Sequence, residues 1–365
     1  MTEELLHCRS PMFDEEENIL EAHFDSVLEY NGRLLFFERD TMGLWSSDRV
    51  LNTACFLRYA KKDVSLKKFV PTGIFRYQSS VCIGNLFGLQ ILIYDLDKKI
   101  FSQYRFDSII DKNARIRIFQ YAHYKRWIYV FPPKLSEGYF IFDIDEKIFN
   151  HHPAISRKRE EIIKFIWQEE SVVYFPIYDS QIIYKLNLED GGVDIIRLGI
   201  DRKLMMTSVC TYKDDIYMIF NNNATMGRYH QGNYEEILLE DIDAKDLFSK
   251  IYPVKDYIAI LPRNYNCMYL FNVSSGNIKR VDIDTACDFT KQNGSLCVGY
   301  YFDENKIYLL PWEAQHIFCY DLLFDSMKSY KINMQPNMDF LDKEELFMEN
   351  KEFGLSDYIC ALGKE

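Results

Sequence analysis

The chain has 365 residues and a formal net charge of −12, which argues against a nucleic-acid partner because phosphate binding requires clustered positive side chains. Its 26 tyrosines and 27 phenylalanines suit half-buried pleated strands and indicate an all-β protein. A single core is unusual at this length, but a ring of repeats enlarges its core with every copy. One repeat domain is therefore expected.

The N-terminal segment, residues 1–23, is acidic and precedes the repeats. Residues 19–22 are predicted to add a strand that closes the ring. No positive start followed by an apolar stretch indicates a signal peptide, and no apolar run reaches the roughly 18 residues of a membrane span. The nine cysteines include no Cys-x-x-Cys pair, which is typical of reduced thiols. We expect a cytoplasmic protein with no membrane partner.

The repeat unit is clearest between Arg126 and Phe149. Residues 127–131 alternate aromatic and β-branched side chains and end at Pro132. A loop, a second alternating run over 139–144, a tight turn at 145–147 and a third run from Ile148 follow. This pattern predicts strand, loop, strand, hairpin turn, strand.

Copies of the second strand of this unit recur about 45 residues apart along the chain. The seven copies are 34–37, 81–83, 128–131, 172–175, 216–220, 258–261 and 307–310. A second marker, an Asp or Asn flanked by apolar residues in the third strand, repeats at Asp95, Asp143, Asn187, Asn272 and Asp321. The fifth copy of this marker is degenerate near residues 228–233. With four strands per unit, the pattern predicts a seven-bladed β-propeller over residues 24–334, with six or eight blades as alternatives.

This architecture resembles the β-propeller superfamily, including kelch-like and WD-repeat-like rings. The Gly-Gly doublet typical of kelch repeats occurs once, at Gly191–Gly192, and after the third strand rather than the second. The Trp-Asp dipeptide of WD repeats is absent, so the resemblance is architectural and assigns no specific family. Residues 335–365 break the repeat and are predicted to form a short helical C-terminal tail.

The loops of a propeller sort by face because successive strands alternate in direction. The turns between first and second strands and between third and fourth strands are short and charged. The connections between second and third strands and between blades are longer and chemically richer, so we predict the functional site on that loop-rich face. The candidate ligand-binding residues there are Arg39, Lys134, Tyr178, Asn222, Arg263, Tyr265, Trp312, Glu313 and His316.

Each signal on this face has a structural alternative. Arg39 and Arg263 could clamp a carboxylate or phosphate, or each could simply pair with Asp40 or another acid. Trp312, Glu313 and His316 could form an aromatic platform with an acid and a base, or Trp312 could pack within a blade. The charged run 157–161 is interpreted as a solvated loop. Asp-x-Asp pairs at strand ends are better explained by turn chemistry than by calcium, and no metal or cofactor is predicted.

Two functions remain open. The favoured one is a non-catalytic binding protein that recognises a peptide, a glycan or a partner protein on the loop-rich face. The alternative is a hydrolase or lyase that acts on a carbohydrate or peptide at the central mouth, with an acid, a base and an Arg brought together from the loops. Whether the chain is an enzyme stays open at this point. A monomer or weak oligomer and, from the residue usage, a bacterial source are expected.

Overall fold

In the computed structural model of the protein, the described residues are 22–66, 69–106, 118–158, 160–221, 224–240, 247–263, 266–283, 297–311 and 316–335. They form seven sheets of four or five strands, antiparallel except where β30 joins blade 1, and the chain is a seven-bladed β-propeller. The predicted fold class and blade count are confirmed. The predicted helical tail beyond Gln335 and residues 19–21 of the predicted closing strand lie outside the described residues. No helix in the described ranges is long and apolar enough to cross a bilayer.

The chain divides into two compact units, of which the first comprises residues 1–119 and 299–365. Blade 1 contains β1 (Leu28–Tyr30), β2 (Arg33–Glu38), β3 (Gly43–Ser47) and β4 (Thr53–Tyr59). Blade 2 contains β5 (Pro71–Tyr77), β6 (Ser80–Asn85), β7 (Gln90–Asp95) and β8 (Ile100–Arg105). Blade 7 contains β26 (Cys297–Asp303), β27 (Lys306–Pro311), β28 (Ile317–Asp321) and β29 (Ser326–Tyr330). It is followed by one further strand, β30 (Asn333–Gln335).

The second unit comprises residues 120–298 and holds the other four blades. Blade 3 contains β9 (Gln120–Tyr124), β10 (Trp127–Phe131), β11 (Tyr139–Asp143) and β12 (Ile148–His152). Blade 4 contains β13 (Trp167–Glu169), β14 (Val172–Pro176), β16 (Ile182–Asn187) and β17 (Val193–Arg197), with β15 (Tyr178–Ser180) between its second and third strands. Blade 5 contains β18 (Leu204–Tyr212), β19 (Asp215–Phe220), β20 (Thr225–His230) and β21 (Asn233–Leu238). Blade 6 contains β22 (Phe248–Val254), β23 (Tyr257–Pro262), β24 (Cys267–Asn272) and β25 (Ile278–Asp282).

The second strand of a blade is buried on both faces, which explains why these strands are almost continuously apolar. In β19, Tyr217 and Ile219 pack with blade 6, whereas Met218 and Phe220 pack with blade 4. Because successive side chains of a strand point to opposite faces, one strand fills two interblade cores. In β2 of the first unit, Phe36 likewise packs with residues of blade 7, while its neighbours on either side pack with blade 2.

Two strands join sheets that are not formed by their own chain segment. β30 pairs in parallel with β4, so the segment that follows blade 7 extends the outer edge of blade 1. β15 leaves blade 4 and pairs with β18 of blade 5, with Tyr178 opposite Met205. These additions give two of the seven sheets a fifth strand.

The Asp and Asn markers of the third strands are turn residues, as predicted. In blade 3, Asp143 Oδ1 accepts hydrogen bonds from the backbone N–H groups of Asp145 and Glu146, at 3.0 and 3.2 Å. The same two bonds follow β7, β24 and β28, and after β16 the Asn187 Oδ1 accepts a hydrogen bond from Glu189 N–H. The degenerate copy in blade 5 has His230 at this position, and its ring nitrogen is hydrogen-bonded to Asp215 on the neighbouring strand.

Candidate functional site

We call the end of each blade that carries its second-to-third loop and its interblade connections the loop end, and the opposite end the hairpin end. Five of the nine predicted site residues are described, and all five lie at loop ends. Arg39 follows β2 and His316 precedes β28 in the first unit, while Lys134, Tyr178 and Arg263 belong to the second. The other predicted site residues, Asn222, Tyr265, Trp312 and Glu313, lie outside the described residues.

A buried carboxylate organises the loop end of blade 1. Glu38, the last residue of β2, has no exposed surface. Its Oε1 accepts hydrogen bonds from the backbone N–H groups of His23 and Asp40, at 3.1 and 3.0 Å. Its Oε2 accepts one from Thr41 N–H at 2.6 Å. Burial raises the pKa of Glu38 above its ordinary value, and the neighbouring charge of Asp40 adds to the increase.

A histidine and an arginine flank the carboxylate of Asp40 in the same cluster. His23 Nδ1 lies 2.5 Å from Asp40 Oδ2, and Arg39 Nε donates to Asp40 Oδ1 at 3.2 Å. Burial alone would raise the pKa of Asp40, but the positive charge of Arg39 and the contact with His23 hold it well below its ordinary value. Burial lowers the pKa of His23, and the hydrogen bond and charge of Asp40 more than offset this, so the His23 pKa is raised. Arg39 therefore makes the predicted pairing with Asp40.

The cluster has the donor types of a cation site, because one potential ligand atom from each of His23, Glu38 and Asp40 lies within 4.8 Å of the others. The geometry argues against that use. Glu38 already accepts three backbone N–H groups, and the Arg39 guanidinium occupies the neighbourhood of Asp40. A divalent ion would have to displace these donors and tolerate an adjacent positive charge.

The cluster also fixes the segment 22–27 to the blades of the first unit. Phe24 N–H donates to Pro311 O at 2.9 Å, and its ring stacks on Phe36 with centroids 4.2 Å apart. Asp25 Oδ2 accepts a hydrogen bond from Thr72 Oγ1 at 2.9 Å. A Cβ atom on Gly299 would lie 1.7 Å from the backbone oxygen of Asp25, so only glycine permits this close passage. The segment thus contacts the loop ends of blades 7, 1 and 2.

A second ordered structure occupies loop ends of the other unit. Residues 153–166, which we call the bridging segment, connect blade 3 to blade 4. Within it, Ser156 Oγ donates to Glu161 Oε2, and Tyr184 OH donates to the same oxygen at 2.8 Å. Glu161 is 5% exposed, which corrects its interpretation as part of a solvated loop. Arg157 and Lys158 are exposed, as that interpretation predicted.

Backbone hydrogen bonds fasten the bridging segment to both blades. Ile155 N–H donates to Leu135 O at 3.1 Å, and Ile163 N–H donates to Pro133 O at 2.8 Å, both on the second-to-third loop of blade 3. Tyr178 N–H donates to Ile162 O at 2.9 Å on the side of blade 4. The bridging segment is therefore held to blade 3 at Ile155 and Ile163 and to blade 4 at Ile162.

The C-terminal end of the bridging segment brings lysines and aromatic rings together. Lys164 Nζ lies 3.9 Å above the ring centroid of Tyr178, and Lys250 Nζ lies 5.5 Å from that of Phe165. Lys134 pairs with Ile162 through a backbone bridge. These five residues, Lys134, Lys164, Phe165, Tyr178 and Lys250, are half-buried, and we call them the lysine–aromatic patch. The patch contains two of the predicted site residues, Lys134 and Tyr178.

Sequence reasoning missed the residues that make these sites rigid. His23 belongs to the N-terminal segment, residues 1–23, which is predicted to precede the repeats. Nothing in its local sequence indicates contact with Asp40. Glu161 follows an exposed basic run, so only its tertiary contact with Tyr184 distinguishes it from Glu160. Lys250 and Phe165 are separated by 85 positions, and no local pattern predicts their contact.

No protein-family model matches this sequence, and no curated protein matches it. Solved structures resemble it. A streptogramin B lyase is 10% identical with a TM-score of 0.59, over 80% of this chain and 91% of that one. Virginiamycin B lyase from Staphylococcus aureus is 10% identical with a TM-score of 0.60, over 80% and 92%. The extracellular domain of a putative one-component system from B. thetaiotaomicron is 15% identical with a TM-score of 0.58, over 83% and 40%.

The similarity to these solved structures supports one conclusion. The chain has the fold of the propeller proteins. At 10–15% identity the matches show the fold alone, and propellers with the same blades serve different purposes, so function must be argued from the loop ends of this chain.

Proposed function

We propose that this protein is a non-catalytic binding propeller whose lysine–aromatic patch recognises a carboxylate-bearing segment of a peptide, glycan or partner protein. The observation that carries the proposal is the fixed bridging segment. It holds Lys164 on Tyr178 and Phe165 beside Lys250.

Rigidity supports binding for a thermodynamic reason. A loop that must become ordered on binding loses conformational entropy, whereas a loop already held by backbone hydrogen bonds loses little. The Ser156–Glu161–Tyr184 network and three backbone hydrogen bonds within the protein hold the bridging segment. Half-buried aromatic rings supply contact area, and lysine side chains complement carboxylates.

The experiment uses two carboxylate polymers, poly-L-glutamate and polygalacturonate, with neutral dextran as the reference probe. Isothermal titration calorimetry is expected to show that the protein binds one of the carboxylate polymers and does not bind dextran. The double variant Lys164→Ala, Tyr178→Ala is expected to weaken this binding about tenfold, the equivalent of about 1.4 kcal/mol.

A matched control exists at the hairpin end of blade 5, where Lys213 Nζ lies 5.0 Å from the ring centroid of Tyr212. The variant Lys213→Ala, Tyr212→Ala removes the same residue types and the same charge, and it is expected to leave affinity unchanged. Equal losses in the two double variants, or no binding of either carboxylate polymer, contradict the proposal.

A second function is favoured by a different observation. The His23–Asp40 pair, with Arg39 beside it, brings a base, an acid and a guanidinium within hydrogen-bond reach. A carboxylate on Nδ1 orients the imidazole and makes Nε2 the proton-accepting atom, as in general-base catalysis. This arrangement supports the enzymatic alternative, a hydrolase or lyase, and lyases occur among the proteins of the same fold.

The enzymatic alternative is tested with a panel of carbohydrate and peptide substrates for hydrolysis and elimination. Any activity is expected to fall at least 100-fold in His23→Gln, since general-base catalysis contributes about that much or more. Arg33→Gln serves as the control, because Arg33 is bonded to Ser46 elsewhere in the same blade. Activity that survives the loss of His23 excludes His23 as the base, and absence of activity across the panel argues for binding alone.

A further inference from the structure

The turn between β28 and β29 of blade 7 differs in chemistry from its counterparts. In blades 2, 3, 4 and 6 the turns after the third strand carry charged or small residues, at 97–99, 145–147, 189–191 and 274–276. In blade 7 the corresponding residues are Leu323, Phe324 and Asp325. Leu323 is 69% exposed and Phe324 is 79% exposed, the highest values among the large apolar side chains that the structure describes.

Folding of this turn does not require apolar side chains. Asp321 Oδ1 accepts hydrogen bonds from the backbone N–H groups of Leu323 and Phe324, at 2.9 and 3.2 Å. Asp143 makes the same two bonds in blade 3, where the turn residues are charged. The turn geometry is thus independent of what occupies its tip, and the apolar pair needs another explanation.

Single exposed apolar side chains are common on protein surfaces and need no functional explanation. Ile148, at 51% exposure in β12, is such a case. Two adjacent large apolar residues at the tip of a hairpin differ, because they present contiguous apolar area where a partner can enclose it from several sides.

Carboxylates surround the tip. Leu322 N–H donates to Asn305 O at 2.8 Å, which brings the turn against the neighbouring hairpin that carries Glu304. Asp321 and Asp325 begin and end the apolar turn itself. Asp321 and Asp325 thus flank the apolar pair in the chain, and the adjacent hairpin carries Glu304. The lysines of these strands are Lys306, which pairs in register with Asp321, and Lys328, which lies opposite Cys319.

We propose that Leu323 and Phe324 insert into an apolar pocket of a partner protein whose rim carries Lys or Arg. The acidic surround complements a basic rim and repels an anionic membrane surface, so a protein fits the chemistry better than a lipid bilayer. The tip lies at the hairpin end of blade 7, and the interaction is independent of the carboxylate recognition proposed for the loop ends.

The experiment places a photo-crosslinking phenylalanine analogue at position 324 in the full chain and irradiates cells that express it. The control chain carries the analogue at position 148. A protein adduct at 324 that is absent at 148, with a cross-linked site mapped to an apolar pocket edged by Lys or Arg, is the expected result.

Affinity for the purified cross-linked protein is then measured at low and high salt. Phe324→Ser is expected to weaken it at least 30-fold, whereas Ile148→Ser leaves it unchanged. Glu304→Gln with Asp325→Asn is expected to weaken it several-fold at low salt and to flatten the salt dependence. Equal melting temperatures of the variants show that the turn is intact.

Four results overturn the proposal. They are adducts at 324 no different from those at 148, an adduct surface without basic residues, cross-linking to a second copy of this chain, and Phe324-dependent flotation with phosphatidylcholine vesicles.

Discussion

The hairpin ends and the loop ends of the blades are built by different means. At the hairpin ends, each turn is closed by its own residues. A left-handed residue recurs in the first-to-second turns, for example Lys125 with φ 55° and Lys213 with φ 57°. An Asp or Asn from the adjacent strand caps most of the third-to-fourth turns. At the loop ends, by contrast, order comes from residues far apart in sequence, such as His23 with Asp40 and Glu161 with Tyr184.

The comparison shows where mutation should be tolerated. A hairpin turn that loses its cap loses one local interaction, and the neighbouring turns are unaffected. A loop end that loses a shared carboxylate leaves several buried donors unpaired at once, because one side chain serves several backbone groups. Five measurements test whether the loop ends are more sensitive to mutation than the hairpin ends.

The largest effect is expected for Glu38→Ala. This change leaves the backbone N–H groups of His23, Asp40 and Thr41 without their acceptor in a buried site. We expect the free energy of unfolding to fall by about 4 kcal/mol. Chemical denaturation measures it. A loss below about 1 kcal/mol, as for an ordinary turn cap, would remove the distinction between the two ends.

Gly299→Ala is expected to lower the free energy of unfolding by about 3 kcal/mol, because the new Cβ meets the backbone oxygen of Asp25 and backbone cannot move aside like a side chain. The matched control is Gly192→Ala at a hairpin turn, where the nearest atom belongs to the flexible Asp190 side chain at 3.0 Å. We expect the control to be within about 0.5 kcal/mol of wild type. Similar losses in both variants would contradict the assigned passage of the N-terminal segment.

Tyr184→Phe removes one hydroxyl from the network that fixes the bridging segment. We expect a loss of about 2 kcal/mol, the range for a hydrogen bond to a charged group, together with faster hydrogen exchange at Ile163 N–H. Tyr174→Phe in the adjacent strand is the control, since Tyr174 OH has no hydrogen bond within the described residues. An unchanged exchange rate at Ile163 would show that the network does not hold the segment.

Asp143→Ala tests a hairpin end directly. The Asp143 carboxylate caps its turn through two backbone N–H groups and contacts Arg126 Nη2 at 3.1 Å. Asp143 itself is only 6% exposed, but the turn residues Asp145 and Glu146 that it caps are exposed, so water can replace the lost acceptor and we expect a loss of only about 1 kcal/mol. Thermal unfolding measures the difference. A loss as large as that of Glu38→Ala would mean that hairpin ends are no more independent than loop ends.

The smallest effect is a pH dependence at blade 1. Folding raises the pKa of His23, so its contribution to stability is complete below about pH 6.5 and is lost as the pH rises through the folded value. Folding lowers the pKa of Asp40, whose contribution is present above about pH 4 and is lost as the pH falls. The stability difference between wild type and His23→Gln should therefore be larger at pH 6 than at pH 9. A difference that does not change with pH would show that His23 is not charged next to Asp40.

Much of the fold was predictable because it follows from local periodicity. The second strands predicted at 128–131 and 216–220 lie within β10 and β19, and the third-strand markers Asp95 and Asp143 cap turns as predicted. The loop-end position of some candidate site residues was predictable as well, while their role in binding stays a prediction. The predicted loop-end residues Lys134 and Tyr178 belong to one patch, since connections sort to one end of a blade by strand direction alone.

The sequence by itself determined the all-β class, the seven blades and the difference between short hairpin turns and long loops, because these depend on side-chain alternation and turn chemistry within about 45 residues. The tertiary structure alone decided that Glu38 and Glu161 are buried, that His23 reaches Asp40 and that β30 completes blade 1. These features depend on contacts between residues distant in the chain, and the burial of a charged side chain is decided by the donors that the fold brings to it.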